Sequence, residues 1–397
     1  MSILRGARIV LGITGGVAAY KAADLASKLV QQGAQVDTVL TEAAREFIGP
    51  ASLNAITHRP VHGSVFEPWT ADWAGHLSLG EESDLIVIAP ATANALANLA
   101  HGLAPDMLYA SVLTSTAPVL VVPAMEDTMY RHPATQQNLE ILRQRGVLLV
   151  GPESGRLASG EFGVGRMSEP STIVGAARMA LGQNGVLAGK RIVVTAGGTR
   201  EALDPVRYLG NRSSGLMGYA IAQSAIDAGA DVILISGPTS LPTPYGAVRI
   251  DVQTAIEMKH AVTGSVKGAQ AIIMSAAVAD YRPKDVRSEK IKKSELGASL
   301  SLELVSNPDI IAGIDEPGLL KIGFAAETSN LVEHARKKLR EKGLDLVVAN
   351  DAEQAIGSSE NQITLVWPDG PVEALSLMPK DDVAAMLIDR VSGMLAD

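Results

Sequence analysis

The chain has 397 residues, no cysteine and a formal net charge of −9. That length exceeds one ordinary core and predicts two or three domains of about 150 residues, two being the simplest reading. The missing cysteines exclude disulfides, thiolate metal sites and any thiol nucleophile or acid, and the acidic balance offers no general attraction to nucleic acid or an anionic membrane, so phosphate-bearing ligands must be held by local groups. Hydrophobic residues make up 47% of the chain and aromatics only 4%, the profile of parallel α/β sheets under Ala-rich helices rather than of an all-β protein. Met1 to Arg5 leads straight into a strand-like segment and no apolar run reaches the roughly 18 residues that span a bilayer, so a cytoplasmic protein is expected.

In chain order, the first predicted strand is Arg8 to Thr14, which runs through Gly15-Gly16 into an amphipathic helix from about Val17 to Gln32. Further strands are predicted at Val36 to Thr41, Asp84 to Ala89, Val119 to Pro123 and Val147 to Val150, separated by helix-length segments. This alternation builds a parallel, doubly wound sheet. A short helix over Thr172 to Leu181 and the small, polar run Gly182-Gln183-Asn184-Gly185 suit a linker. Gly189-Lys190-Arg191-Ile192-Val193-Val194-Thr195-Ala196-Gly197-Gly198 then echoes Gly6 to Gly16. Two nucleotide-handling domains in tandem would explain the echo, although any two Rossmann-like domains open this way. The expected division is 1–186 and 187–397.

Glycines after a parallel strand let backbone approach a phosphate and leave helix N–H groups aimed at it. Gly15-Gly16 fits that use or a tight turn, and the full G-x-G-x-x-G dinucleotide fingerprint is absent. Thr41 stands where an NAD site would want a carboxylate, with Glu42 beside it; the hydroxyl better suits a phosphate. Pro90-Ala91-Thr92-Ala93-Asn94 follows the strand ending at Ala89 and reads either as a ligand loop at the carboxyl edge or as a capped helix start. Farther on, Thr195 to Glu201, Leu203 to Tyr208 and Asn211 to Gly218 crowd donors around glycines. Ser213, Ser214 and Gly215 could hold an anion at a helix N-terminus, or simply begin a solvent-facing helix.

Taken together, Gly12-Ile13-Thr14-Gly15-Gly16-Val17-Ala18-Ala19-Tyr20-Lys21, Gly75-His76, Ala89 to Asn94, Pro123-Ala124-Met125 and Pro133-Ala134-Thr135-Gln136 make the first half resemble the flavin-containing cysteine decarboxylases, in a flavodoxin/Rossmann-like, homo-oligomeric fold. Ala276-Ala277-Val278-Ala279-Asp280-Tyr281, Glu289 to Lys293, Asn307-Pro308-Asp309-Ile310, Gly323 to Thr328 and Ala349-Asn350-Asp351 extend the resemblance. Essentially the whole chain is thus similar to the bifunctional phosphopantothenoylcysteine decarboxylase / phosphopantothenate–cysteine ligase family of coenzyme A biosynthesis.

The resemblance implies FMN with its phosphate near Gly15, Gly16 and Thr41 and its ring near Ala91 and Thr92, and a catalytic His76 beside the flavin. For the Rossmann-like ligase half it implies CTP, Mg²⁺, 4′-phosphopantothenate and cysteine as small-molecule partners. Lys290 neutralises phosphate charge, aided by Mg²⁺ near Asp280. Asn211 holds an acyl-cytidylate, Arg207 favours attack by cysteine, and Ser275, Ala276, Asn307, Pro308, Asp309, Ile310, Phe324, Lys338 and Lys342 line the nucleotide pocket. Family members assemble through flavin-domain trimers and ligase-domain pairs, with a neighbouring subunit completing the FMN site, so a dodecamer is expected, with no nucleic acid or membrane partner.

Two departures fall on the flavin half. Glu126 replaces an asparagine that contacts the substrate carboxylate in the family, and carboxylates facing each other repel unless one is protonated. Ser159, in the flap Gly155 to Met167, replaces a cysteine proton donor; a thiol has a pKa of about 8.5 and a serine hydroxyl is a far weaker acid. Either the changes compensate, with a protonated Glu126 as the acid, or this half has lost turnover or releases an oxidised enethiol. With His76 and the flavin motifs intact, retained decarboxylation is the expectation. A smaller departure is Leu216, where many relatives carry lysine. A nicotinamide dehydrogenase lacks its fingerprint here, and a non-enzymatic flavin-binding interaction protein would not need Asn211, Asp280 and Lys290.

Overall fold

The computed structural model describes residues 2–66, 68, 73–292, 300–327, 330–351, 357–368 and 370–396; Lys293 and Thr328 of the motifs above lie outside them. The chain divides into two compact units, Ser2–Gly182 and Gln183–Asp397 with Met1 assigned to the latter.

The first unit is a six-stranded parallel sheet in the order β3-β2-β1-β4-β5-β6. Its strands are β1 (Arg8–Ile13), β2 (Gln35–Leu40), β3 (Val61–His62), β4 (Leu85–Ala91), β5 (Val119–Pro123) and β6 (Leu148–Leu149). Every residue of β4 is buried, as a strand covered by helices on both faces requires. The helices are α1 (Lys21–Gln31), α2 (Pro50–Thr57), α3 (His76–Glu81), α4 (Ala93–His101), α5 (Met107–Thr114), α6 (Asp127–Arg131), α7 (Pro133–Gln144) and, after a hairpin, α8 (Pro170–Gly182). The helix expected from Val17 opens as a 3₁₀ turn, Val17–Tyr20, because the chain must bend off β1 before α1 can lie along the sheet. The chain moves outward from β1 through β2 to β3, then returns to β4 on the other side, so β1 and β4 bound the switch point of the sheet.

The antiparallel hairpin β7 (Glu153–Arg156) and β8 (Phe162–Arg166) stands outside the sheet. Its root is fixed at Gly165, with φ of +155°, whose backbone accepts from Met125 N–H at 3.0 Å; a Cβ there would sit 2.0 Å from Met125 O. The Val164 N–H donates to Asp127 Oδ1 at 2.8 Å.

The second unit repeats the design. Its eight-stranded sheet runs β13-β12-β9-β14-β17-β18-β20-β21, parallel through β18, with β20 and β21 added antiparallel. The strands are β9 (Arg191–Ala196), β12 (Asp231–Ser236), β13 (Val248–Asp251), β14 (Ala271–Met274), β17 (Leu320–Glu327), β18 (Leu346–Asp351), β20 (Ile363–Val366) and β21 (Val372–Ala374). Two small antiparallel ribbons, β10 (Arg200–Ala202) with β11 (Tyr208–Gly210) and β15 (Tyr281–Pro283) with β16 (Leu304–Ser306), rise from the loops after β9 and β14; β19 (Glu360–Asn361) pairs with β22 (Met378–Pro379). The helices are α9 (Leu216–Asp227), α10 (Ala255–Ser265), α11 (Leu331–Lys342) and α12 (Lys380–Met394). The first six strands follow the order of the N-terminal sheet, so the repeated strand-to-glycine opening belongs to a repeated topology, with this switch point between β9 and β14.

Candidate functional site

At the N-terminal switch point the β1 and β4 loops are stitched together by Thr14. Its hydroxyl donates to Pro90 O at 2.8 Å and accepts from Thr92 N–H at 3.1 Å. Thr92 in turn caps α4 by accepting from Ala95 N–H. Gly15 is demanded by space: an added Cβ would sit 2.4 Å from Ala43 Cβ and 2.8 Å from its backbone carbon. Gly16 and Thr92 open onto a cavity of about 490 Å³, which the hairpin covers with Arg156 and Leu157. A volume of this order accommodates a ligand of cofactor size.

The cavity combines apolar walls, including Val17, Met125 and Met129, with the cations Lys21, Arg156 and Arg166. Lys21 is largely buried and pairs with Glu169 at 3.0 Å, and Arg166 bonds the same carboxylate. The Lys21 hydrogen bond, then the charges of both cations, hold the Glu169 carboxyl below its ordinary range. A glycine loop with neighbouring cations suits a phosphate, and an apolar remainder suits an aromatic ring. The cations were visible in the sequence as part of quoted motifs, but nothing in their spacing signalled a shared cavity.

Of the residues expected in this half, the cavity gathers Gly15, Gly16, Thr92 and Glu126. Thr41 is buried and caps the turn after β2, accepting from Ala44 N–H. Ala91 is fully buried, with its carbonyl accepting from Ala124 N–H at 3.0 Å. His76 opens α3, and its carbonyl accepts from Thr114 Oγ1 at the end of α5 at 3.1 Å. His76 is not among the residues lining the cavity within one chain.

Ser159 lies at the hairpin tip and reaches Glu126. Its N–H donates to Glu126 Oε1 at 3.2 Å and its hydroxyl to Oε2 at 3.1 Å, while the hydroxyl accepts from Glu161 N–H at 3.3 Å. Glu126 is half-buried, Ser159 is exposed, and both carboxylate oxygens already act as acceptors.

At the second switch point, Thr195 Oγ1 accepts from Ala276 N–H at 3.2 Å and Ser275 Oγ donates to Thr195 O at 2.7 Å. Asn211 Nδ2 donates to Val278 O at 3.1 Å, and Asn307 Nδ2 to Ala279 O at 2.8 Å. A cavity of about 260 Å³ beyond β14 is lined by Ala276, Asp280, Asn307 to Ile310, Phe324, Lys338 and Lys342, nine residues predicted together from 67 positions of sequence. Lys338 Nζ donates to Phe324 O at 2.6 Å, and Lys342 pairs with Asp309 at 2.9 Å. Burial would raise the Asp309 carboxyl; the Lys342 hydrogen bond, the Ala312 N–H and the charges of Lys342 and Lys338 outweigh it and hold it below its ordinary range.

Ser213, Ser214 and Leu216 face a separate, open depression with Arg200 and Pro238 to Leu241. Ser275, Arg207, Asn211 and Lys290 are not among the residues lining the 260 Å³ cavity. Among the described residues no group of three or more His, Cys, Asp or Glu side chains is arranged to hold a metal ion by itself, and no helix is long and apolar enough to cross a membrane.

The two units thus define a tandem Rossmann-like protein with one cavity at the β1–β4 switch point and another between β14 and β17. Residues 2–182 match the family described as Flavoprotein, and residues 187–394 match the DNA/pantothenate metabolism flavoprotein C-terminal domain. Over nearly their full lengths, coenzyme A biosynthesis bifunctional proteins CoaBC are similar to this chain. The Vibrio cholerae protein is 46% identical, covering 98% of this chain and 99% of its own. That of Escherichia coli K12 is also 46% identical, covering 98% and 97%, and that of Bacillus subtilis is 41% identical, covering 99% and 98%. The chain belongs to the coenzyme A biosynthesis bifunctional protein family.

Proposed function

We propose that this chain catalyses two consecutive steps of coenzyme A biosynthesis, joining cysteine to 4′-phosphopantothenate at the expense of CTP and then decarboxylating the product to 4′-phosphopantetheine. The observation that carries the reading is the pair of unlike cavities in two units of like strand order: one at the β1–β4 switch point, glycine-lined, cationic and partly apolar, the other between β14 and β17, lined by the nucleotide-site motifs. Domains 1–186 and 187–397 divide the two activities.

In the ligase half the pantothenate carboxylate attacks the α-phosphate of CTP, forming an acyl-cytidylate and releasing pyrophosphate. The cysteine amine then attacks the acyl carbon and releases CMP. Lys290 offsets phosphate charge in the first step. Asn211 and Arg207 act in the second, holding the acyl-cytidylate and favouring cysteine. Ser275, Ala276, Asn307 to Ile310, Phe324, Lys338 and Lys342 bind the nucleotide. Mg²⁺ would enter with the triphosphate, Asp280 contributing one carboxylate, as Mg²⁺ sites commonly use few protein ligands beside phosphate oxygens.

In the flavin half, Gly15, Gly16 and Thr41 together with Lys21 would hold the FMN phosphate, and Thr92 and the apolar wall its ring. FMN supplies the hydride chemistry when bound. Glu126, held by Ser159, would present its carboxylate to the same cavity, and decarboxylation is retained with Ser159 in place of a thiol. His76 serves the cavity of a neighbouring copy, in keeping with its absence from the lining of the cavity in its own chain, which makes the enzyme an obligate homo-oligomer, in full a dodecamer of flavin-unit trimers and ligase-unit pairs.

Co-expression tests the subunit sharing. H76N and G16D are each expected to abolish decarboxylation alone, and mixed oligomers to regain part of it; no regain would confine His76 to its own chain.

A further inference from the structure

Two segments of the ligase unit that carry proposed catalytic groups are tied by one buried carboxylate. Asp204 has no exposed side-chain surface. Its Oδ1 accepts the N–H groups of Val206 at 2.7 Å and Arg207 at 2.8 Å, and its Oδ2 accepts Arg207 Nη1 at 2.9 Å and the Ile291 N–H at 3.1 Å. Arg207 Nη1 also donates to Ile291 O at 2.9 Å across a sequence separation of 84, and the Arg287 N–H donates to Leu203 O at 3.1 Å. Ile291 is buried and follows the exposed Lys290 directly.

We propose that Asp204 is a positioning residue that fixes the Arg207 guanidinium and the Lys290 backbone as one unit, so that the groups serving activation and cysteine coupling keep a constant relation. The inference rests on the ligase reading of Arg207 and Lys290. A carboxylate is the group the place requires, since four donors converge on two acceptor oxygens. An asparagine offers one acceptor oxygen and an NH₂, so in either orientation two of the four donors face another donor. A buried donor without an acceptor is costly, and of the four bonds Asp204 accepts, the longest and the only one from outside the Asp204–Arg207 turn is that of the Ile291 N–H. D204N is therefore expected to release the Lys290 segment from the Arg207 turn while the sheet beneath stays intact.

The test uses the full-length protein with 4′-phosphopantothenate, CTP and Mg²⁺, with and without cysteine. D204N is expected to lower both pyrophosphate release and amide formation by about 10- to 100-fold, chiefly in kcat, as displaced catalytic groups do. R207A should lower amide formation while sparing pyrophosphate release, and K290A should lower both. If R207A and K290A leave both steps intact, the underlying reading of those residues fails. If they act as stated and D204N leaves both steps intact, the Asp204 proposal fails. Tryptic cleavage after Lys290 should quicken in D204N at unchanged flavin content, a change that general destabilisation would spread over both units. A measurement on the unaltered protein guards against a misfolded variant: the Ile291 amide should exchange hydrogen at least about tenfold more slowly than those of Glu289 and Lys290 without substrates, and exchange at their rate would overturn the proposal.

Discussion

Ser159 gives both its backbone N–H and its hydroxyl to the two oxygens of Glu126, at 3.2 and 3.1 Å, across 33 positions of sequence. The two flavin-half positions expected to depart from the family pattern are therefore partners in space. The contact latches the tip of the β7–β8 hairpin over the cavity, adding to the root fastened by Asp127 and Gly165.

If the latch matters for the flavin half, E126A should unfasten the tip. Chymotryptic cleavage next to Leu157 or Phe162 is expected to accelerate, and phosphopantetheine formation from supplied phosphopantothenoylcysteine to fall by about tenfold or more, from lost closure over the substrate. The double variant E126N/S159C, which exchanges the pair for the family's usual one, should regain activity. Equal cleavage rates in E126A and the unaltered protein would remove the latch.

Gly15 has no room for a side chain. G15A would drive a Cβ to 2.4 Å from Ala43 Cβ and against its backbone, an overpacking that costs about 1–3 kcal/mol. Thermal unfolding of the first unit should move down, and flavin absorbance of the purified protein should fall with it. An unchanged flavin content would show that the β1 loop can yield.

The Lys342–Asp309 pair sits at the mouth of the smaller cavity. K342A should raise KM for CTP by about tenfold while leaving decarboxylation of supplied phosphopantothenoylcysteine unchanged, because the two cavities belong to separate units. Loss of the second activity would indicate coupling between them.

The Asp204 carboxyl gives a pH signature. Burial would raise it, but the Val206, Ile291 and Arg207 N–H groups and the Arg207 guanidinium bring it to about 2, below its ordinary 3.8. A depressed carboxyl stabilises the folded form above its unfolded value and loses that contribution as pH falls through the folded one. Protection of the Ile291 amide should accordingly persist down to about pH 4 and be lost between there and about pH 2. D204N should show no such step in this interval; loss already at pH 6 in the unaltered protein would contradict the assignment.

Much of the scaffold could be read from local pattern. The buried run Ile9–Ile13, the glycines that follow it and their echo at Arg191–Gly198 are contiguous signals, and they locate both switch points. The lining of the smaller cavity was likewise legible because its motifs cluster in Ala276 to Lys342 and are distinctive together. What escaped was contact between distant residues. No periodicity pairs Glu126 with Ser159 or Asp204 with Ile291, and two-residue β3 is too short to show an alternation. His76 was singled out by its motif, but its place away from the cavity of its own chain depends on how α3 packs on α5, which the sequence alone does not reveal.

The central claim is most directly tested by incubating the purified, FMN-loaded protein with 4′-phosphopantothenate, cysteine, CTP and Mg²⁺ and resolving the products by mass. The account predicts 4′-phosphopantetheine, with pyrophosphate, CMP and CO₂ each formed once per turnover. Arrest at phosphopantothenoylcysteine, or at a product two hydrogens short, would contradict the decarboxylase half, and the absence of any CTP-dependent product would contradict the whole.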